Sequence, residues 1–293
     1  MMFTRVALDP YLEKSTMSSP TILILSSHTK PGLTAPVNHQ IYAERHGYDY
    51  LFDVTPYSLK SPYDQKLYAI TKNLKRTAHD WILWIDDDAY FMDHARKLEK
   101  FLPDNNEVDF IICRSPVNPE GHWSMINSGI FFVRNSASAL QLLEEALVTD
   151  NDLVRAWWNE EEHGLFIPGG DQERMLYLFA NKGMVGTTVV IHDHTAFNSR
   201  VYHFNERFDE QFICHLASHR DKSIPLDQMR RRFGLDRFLL PECRARQRLD
   251  DFRYSMFSRE MYSPSLLLSK RIYGRIRYTA TRIIKGLFYR LRY

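Results

Sequence analysis

The stretch Trp81-Ile82-Leu83-Trp84-Ile85-Asp86-Asp87-Asp88 decides the fold, because five consecutive apolar residues run directly into three carboxylates. Apolar residues without alternation are typical of a strand that helices cover on both faces. In open α/β sheets, ligands bind in the crevice at the carboxyl ends of the strands. The stretch therefore predicts a central strand that ends in a ligand site.

The residues around this strand predict alternating strands and helices. Further strands are predicted at 21–27, 48–54, 108–113, 125–133, 187–191 and 211–215. Helices are predicted at 37–46 with Gly47 as the C-cap, at 63–74, from about residue 136 and from about residue 171. This alternation predicts an α/β sandwich.

Composition and charge limit the possible domain organisation and the possible class of protein. The 293 residues are 44% hydrophobic, which is enough for a large core. We predict an N-terminal extension at 1–19, one domain at 20–245 and a C-terminal tail at 246–293. The formal net charge of +2 argues against a nucleic-acid partner.

The spacing of the cysteines and the lack of a long apolar run indicate the cellular compartment. The three cysteines are scattered without paired spacing, which is typical of a protein in a reducing cytosol. There is no signal-peptide pattern and no run of about 18 apolar residues. We expect a cytoplasmic protein without a transmembrane helix.

The three aspartates are the strongest chemical signal in the sequence. Neighbouring carboxylates do not all ionise readily unless a cation lies among them, and oxygen ligands suit Mg²⁺ or Mn²⁺ bound to substrate phosphates. The alternative is a solvated acidic loop without a ligand. The apolar residues Tyr90 and Phe91 directly after the aspartates favour the metal site.

Four stretches in order resemble the GT-A glycosyltransferases that include fungal α-galactosyl and mannosyl transferases and plant xyloglucan xylosyltransferases. They are residues 63–67, the acidic motif at 84–91, Ile-Asn-Ser-Gly-Ile-Phe-Phe-Val-Arg-Asn at 126–135, and Asp171-Gln172. A weaker fifth is Cys214-His215. The similarity covers about residues 20–222. It implies a GT-A (Rossmann-like) fold, a three-layer α/β/α sandwich with a mixed central sheet. It also implies a nucleotide-sugar donor and a divalent metal.

Carried over position by position, the resemblance implies a metal site and a donor site. Asp88 would ligate the metal, His215 would be the later ligand, and Asp86 would face the donor ribose or a metal-bound water. Asp87 stands where the family often has a small residue, so the choice among the three carboxylates stays open. The implied metal ligands are Asp86, Asp88 and His215.

The other motif positions carry a structural alternative beside the functional one. Asn127, Ser128 and Gly129 can be a strand bulge, whereas the resemblance places them beside the donor sugar and the acceptor. Asp171 and Gln172 can simply begin a helix, with Asp171 as its N-cap, whereas the resemblance places Asp171 near the anomeric carbon. We predict Asp171, Gln172 and Asn127 as catalytic residues. The predicted donor-binding residues are Asp86, Asp87, Lys66, Ser128, Gly129 and Lys222, although Lys66 can also be a solvated helix lysine.

The tail is the second distinctive feature of the sequence. Residues 266–293 carry eight Lys or Arg and no Asp or Glu, and their apolar and basic residues fall on roughly opposite sides of a helix. This pattern predicts a basic amphipathic helix on an anionic membrane surface, on the inner face of a membrane. The alternatives are docking on the acidic remainder of the chain and nonspecific RNA binding.

Together these observations predict a metal-dependent retaining glycosyltransferase. It would transfer a hexosyl or pentosyl group from UDP-galactose, UDP-xylose or GDP-mannose to a glycan or lipid-linked glycan acceptor. Two other classes remain as alternatives: a metal-dependent phosphohydrolase, and a non-catalytic membrane scaffold built on a transferase fold.

Overall fold

The computed structural model describes residues 19–28, 33–57, 59, 61, 63–104, 107–217, 219 and 221–240. The predicted basic tail, its boundary at residue 245 and nearly all of the N-terminal extension lie outside the described residues. Within the described ranges, no helix is both long enough and apolar enough to cross a bilayer.

Six strands form the central sheet, and two more form a small separate one. The large sheet contains β1 (Ile22–Ser27), β2 (Asp49–Asp53), β3 (Trp81–Ile85), β5 (Phe110–Ser115), β6 (Ser124–Arg134) and β7 (Val189–His192) in the order β2-β1-β3-β6-β5-β7. β6 is antiparallel to both of its neighbours, and every other pair is parallel. The pair β4 (Ala89–Phe91) and β8 (Ile213–His215) is antiparallel. The predicted mixed sheet is confirmed.

The helices include the four that the sequence predicts. They are α1 (Ala35–His46), α2 (Asp64–Leu74), α3 (Ala137–Val148) and α6 (Asp171–Asn181). Gly47 ends α1 in the left-handed conformation, at φ 76°. The sequence did not predict α4 (Asn151–Trp157), α5 (Glu160–His163), α7 (Val201–Glu206) or α8 (Ser223–Phe233). These helices bury only one or two side chains each, so they lack a clear apolar period.

The core lies on both faces of β3, as its unbroken apolar sequence predicts. Ile82 and Trp84 pack with side chains of α2, α3 and α6. Trp81, Leu83 and Ile85 pack on the other face, with residues of α1, β4 and β8. Each buried side chain of this size contributes about 1.5–3 kcal/mol. The three-layer α/β/α sandwich is confirmed. Packing on both faces holds β3 in the middle layer of this sandwich.

Two local features bring distant residues to the end of β3. In the small sheet Ala89 pairs with His215, so the residue after the last aspartate is fixed beside the histidine. In β6 the pairing with β5 is interrupted: Ile112 pairs with Phe131, whereas Cys113 pairs with Asn127. The interrupted segment remains attached to β3 through a 2.8 Å hydrogen bond from the Asp86 N–H to the Gly129 carbonyl. The bulge that is the structural alternative for Asn127, Ser128 and Gly129 is therefore present, and it lies beside the aspartates.

Candidate metal and donor site

A cavity of about 740 Å³ opens at the carboxyl ends of β1 and β3. All eleven predicted site residues line it. They are Lys66, Asp86, Asp87, Asp88, Asn127, Ser128, Gly129, Asp171, Gln172, His215 and Lys222. The topology thus gathers residues from six separate parts of the chain around one space.

Asp86, Asp88 and His215 form a cluster that can hold a metal ion. One ligand atom from each lies within 4.8 Å of the others. His215 Nε2 lies 3.2 Å from Asp88 Oδ1 and 3.9 Å from Asp86 Oδ2. Two carboxylates and an imidazole form a donor set that is acceptable to Mn²⁺ and, through the oxygens, to Mg²⁺.

The hydrogen bonds around His215 fix which ring nitrogen faces the carboxylates. Asn198 Nδ2 donates to Asn127 Oδ1 at 2.9 Å, which orients the Asn198 amide. Asn198 Oδ1 accepts from Arg200 at 2.7 Å and lies 2.9 Å from His215 Nδ1. Because Asn198 Oδ1 can only accept, His215 Nδ1 carries a proton, and Nε2 is the nitrogen whose lone pair is available in the neutral tautomer. This tautomer is the one that a metal between His215 and Asp88 requires, so the residues present fit a divalent cation.

The carboxylates are partly buried, and the charged groups around them shift their pKa values. Burial raises the pKa of Asp88, but His215 and Lys222 outweigh burial and hold that pKa well below its usual range. Lys222 Nζ lies 2.8 Å from Asp88 Oδ2. Burial raises the pKa of Asp86, and Lys66 only partly opposes it. Burial also raises the pKa of Asp87, to about 6.

Lys66 connects the aspartate cluster to the start of α6. Its Nζ lies 3.2 Å from Asp86 Oδ1 and 3.2 Å from Asp171 Oδ2, and it donates to the Ser128 carbonyl at 2.9 Å. Its side chain is only 13% exposed. The alternative reading of Lys66 as a solvated helix lysine is therefore wrong: burial lowers its pKa, but the two carboxylates outweigh burial and raise it.

Asp171 lies in the cavity wall and does not cap the helix. The N-cap of α6 is Gly170, and Asp171 is the first helical residue, so the N-cap alternative is wrong. Asp171 Oδ2 accepts no well-oriented hydrogen bond from the described residues, although Lys66 lies within ion-pair distance. A buried carboxylate oxygen in this state retains the capacity to bind a ligand hydroxyl.

Gln172 and Asn127 mainly hold the cavity wall together. Gln172 Oε1 accepts from the Ser128 N–H at 3.2 Å, and its Nε2 donates to Ser124 Oγ at 2.8 Å. Asn127 Oδ1 accepts from the Gly129 N–H at 3.2 Å as well as from Asn198. Both predicted catalytic amides therefore have protein partners that fix the interrupted part of β6.

Several residues of the site were missed by the sequence reasoning. Trp84 Nε1 donates to Asp86 Oδ1 at 2.7 Å, and Glu173, with a pKa that burial raises to about 7, also lines the cavity. Asn198 and Arg200 lie in an irregular segment before α7, where no motif or period distinguishes them. In the sequence Trp84 is one residue of an apolar strand, and nothing there indicates that its indole donates a hydrogen bond to Asp86.

Comparisons with known proteins agree with this geometry. The model of the galactosyl transferase GMA12/MNN10 family matches residues 33–119. No curated protein matches the chain. A solved glycosyltransferase involved in the glycosylation of the major capsid of PBCV-1 is 17% identical, with a TM-score of 0.55, and the match covers 72% of this chain and 100% of that one.

A second solved structure is the glycosyltransferase GlyE of Streptococcus pneumoniae TIGR4. It is 13% identical, with a TM-score of 0.43, and the match covers 71% of this chain and 60% of that chain. The fold likeness to the capsid enzyme shows a GT-A-like α/β architecture, and the family match contains the three aspartates. Together they support a glycosyltransferase similar to the galactosyl transferase GMA12/MNN10 family.

Proposed function

We propose that this chain is a metal-dependent retaining glycosyltransferase that takes a hexosyl or pentosyl group from a UDP- or GDP-sugar. The acceptor is the hydroxyl of a glycan or of a lipid-linked glycan. The observation that carries the proposal is the cluster of Asp86, Asp88 and His215 in the wall of a cavity large enough for a nucleotide-sugar. Retention at the anomeric carbon follows from the resemblance to the family.

Each charged group of the cavity has a role in this proposal. Asp86, Asp88 and His215 hold a divalent cation, which supplies positive charge to the diphosphate leaving group when bound. Lys222 exchanges its contact with Asp88 for one with the donor diphosphate. Lys66 holds Asp171 in place, and Asp171 binds the donor sugar and stabilises positive charge that develops at its anomeric carbon.

The experiment is a donor panel with the full chain. UDP-galactose, UDP-xylose and GDP-mannose are each added with Mn²⁺ or with EDTA, and thermal stabilisation and slow donor hydrolysis are measured. We expect one donor to stabilise the protein only with metal, by about 2–4 kcal/mol at 100- to 1,000-fold excess over Kd. Asp88→Ala abolishes this effect, whereas Asp104→Ala, which removes an exposed carboxylate, leaves it unchanged.

The same panel separates the two rival classes. Phosphate release from simple phosphoesters without a sugar acceptor would favour a phosphohydrolase over the transferase. If no donor binds under any metal condition, the transferase proposal fails and a non-catalytic scaffold is favoured.

We also propose that residues 266–293 attach the protein to an anionic membrane from the cytoplasmic side. The support is the sequence alone, with its eight basic residues and opposed apolar side. Sedimentation with phosphatidylglycerol vesicles and with neutral phosphatidylcholine vesicles tests this. Binding to the anionic vesicles only, and its loss when the chain ends at residue 245, is the expected result; equal sedimentation with both would contradict it.

A further inference from the structure

A second cavity of about 300 Å³ lies beside the donor cavity and shares part of its wall. Asn127, Ile167, Gln172 and Ala217 line both spaces. These shared residues separate a molecule in the second cavity from the proposed donor site. Such a position suits the group that receives the sugar.

Arg200 is the unusual residue of this second cavity. It is 94% buried, since its relative exposure is 6%. One guanidinium nitrogen, Nη1, donates to the Asn198 carbonyl at 3.1 Å and to Asn198 Oδ1 at 2.7 Å. The other, Nη2, has among the described residues only a long 3.4 Å contact, with Ser115 Oγ. All of these partners are neutral.

No Asp or Glu among the described residues forms an ion pair with Arg200. A buried charge without a hydrogen-bonded counter-ion is costly, and Asp88 acts on this guanidinium only through space, without forming an ion pair with it. Buried arginines normally pair with carboxylate or phosphate, which their planar fork binds through two hydrogen bonds. An anionic ligand would supply the ion pair that Arg200 lacks within the described protein.

The position of Arg200 separates it from the donor diphosphate. Arg200 Nη1 lies 3.4 Å from His215 Nδ1, whereas Asp88 lies on the Nε2 side of the same ring. Arg200 lines only the second cavity, while Lys66 and Lys222 line the donor cavity. In the proposed function, Lys222 and the metal cluster serve the donor diphosphate, so the charge of Arg200 is available to another molecule.

We propose that the second cavity is the acceptor subsite and that Arg200 binds an oxyanion, a carboxylate or a phosphate, carried by the acceptor sugar. This inference rests on the proposed function. Trp123, Leu165 and Ile167 give the cavity apolar surface for a sugar ring, and Arg200 binds the charged substituent. Glu120, the acidic residue of the lining, is exposed and so leaves the buried part of the cavity to the guanidinium.

The test compares three small probes that differ in one substituent. They are methyl glucoside, methyl glucuronide with a carboxylate, and methyl glucoside 6-phosphate. Each is titrated calorimetrically into the full chain with Mn²⁺ and UDP at neutral pH. We expect at least one ionised probe to bind about tenfold to a hundredfold more tightly than methyl glucoside, and the tighter of the two identifies the oxyanion.

Variants of Arg200 test whether its guanidinium causes the tighter binding of the ionised probe. Arg200→Gln removes the preference, and Arg200→Lys retains only part of it because an ammonium has no planar fork. Arg231→Gln is the matched control, since it removes the same charge from an exposed site on α8, and it keeps the wild-type preference. The probe ranking on the wild-type protein stands even if Arg200→Gln does not fold.

Two results would overturn the inference. One is that neither ionised probe binds more tightly than methyl glucoside, and the other is that the preference survives in Arg200→Gln. The donor panel distinguishes failure of this inference from failure of the proposed function. Metal-dependent donor hydrolysis without an anionic preference removes only the acceptor subsite. An Arg200-dependent preference without donor binding removes the transferase function, and with it the acceptor role, but leaves an anion site at Arg200.

Discussion

Between Gly129 and His215 there is no room for a side chain: a β-carbon at position 129 would lie 2.1 Å from Cε1 of the His215 ring. The glycine is on β6 and the histidine on β8, so two separate sheets meet at this contact. The imidazole is held on one side by a backbone and on its Nδ1 edge by an amide. The position of Nε2 is therefore fixed before any ligand arrives.

Replacing Gly129 by Ala is expected to displace the His215 ring. Overpacking of this kind costs about 1–3 kcal/mol of unfolding free energy, and the displaced ring loses Mn²⁺ affinity. Urea unfolding and Mn²⁺ titration measure the two effects. The double variant Gly129→Ala/His215→Ala tests the cause, because without the ring the added methyl has space; equal Gly129→Ala costs with and without the ring would contradict the contact.

Replacing Asn198 by Ala is expected to weaken metal binding without removing a ligand. The variant loses the acceptor that keeps the proton of His215 on Nδ1, and losses of this kind reduce metal affinity about 10- to 100-fold. Mn²⁺ binding followed by electron paramagnetic resonance gives the Kd. Asn181→Ala, at an exposed helix position, is the control, and an unchanged Kd in Asn198→Ala would show that the amide does not orient the ring.

Replacing Lys66 by Met is expected to destabilise the protein strongly. The change leaves the buried Asp171 and the partly exposed Asp86 without their shared cation, and breaking a buried pair typically costs about 3–5 kcal/mol. Lys75→Met, which breaks a pair with Glu144 that is about half exposed, costs at most about 1 kcal/mol. Chemical unfolding of the two variants at neutral pH measures the difference, and similar losses would argue against a buried cation bridge.

Replacing Glu173 by Gln is expected to change the pH dependence of stability. Burial raises the pKa of Glu173 from 4.5 to about 7, so the folded state binds a proton that the unfolded state has lost between those values. Its contribution is therefore full below about pH 4.5 and falls as pH rises to about 7. The glutamine variant should match the wild type at pH 5 and exceed it at pH 8 by on the order of 2 kcal/mol. A constant difference between the two pH values would contradict this assignment.

The sequence predicted the fold where an apolar pattern was long enough to be read. β3 and the helices α1, α2, α3 and α6 bury several side chains each, so their period is visible. The short helices α4, α5 and α7 bury one or two side chains and are held by their neighbours. Their existence depends on tertiary contacts that no local pattern records.

The candidate site was predictable for a different reason. The acidic end of a buried strand locates the cavity in any open α/β sheet, and the resemblance supplied the residues that lie far away in sequence. Residues that act through hydrogen bonds, such as Asn198 and Arg200, were not predictable. Their partners are determined by a loop geometry, and an asparagine and an arginine near a turn look ordinary in sequence.

The pairing of Ala89 with His215 makes the metal cluster a test of whether the whole domain has folded. The segment that matches the family model, residues 33–119, contains both carboxylates but not the imidazole, which enters only when β8 pairs with β4. A fragment or a nascent chain that ends before residue 215 therefore has an incomplete ligand set. Because side chains alternate along a strand, a one-residue slip of β8 would also turn the histidine to the opposite face. Under the proposed function, metal binding by this cluster would therefore report that β8 is in place and in register.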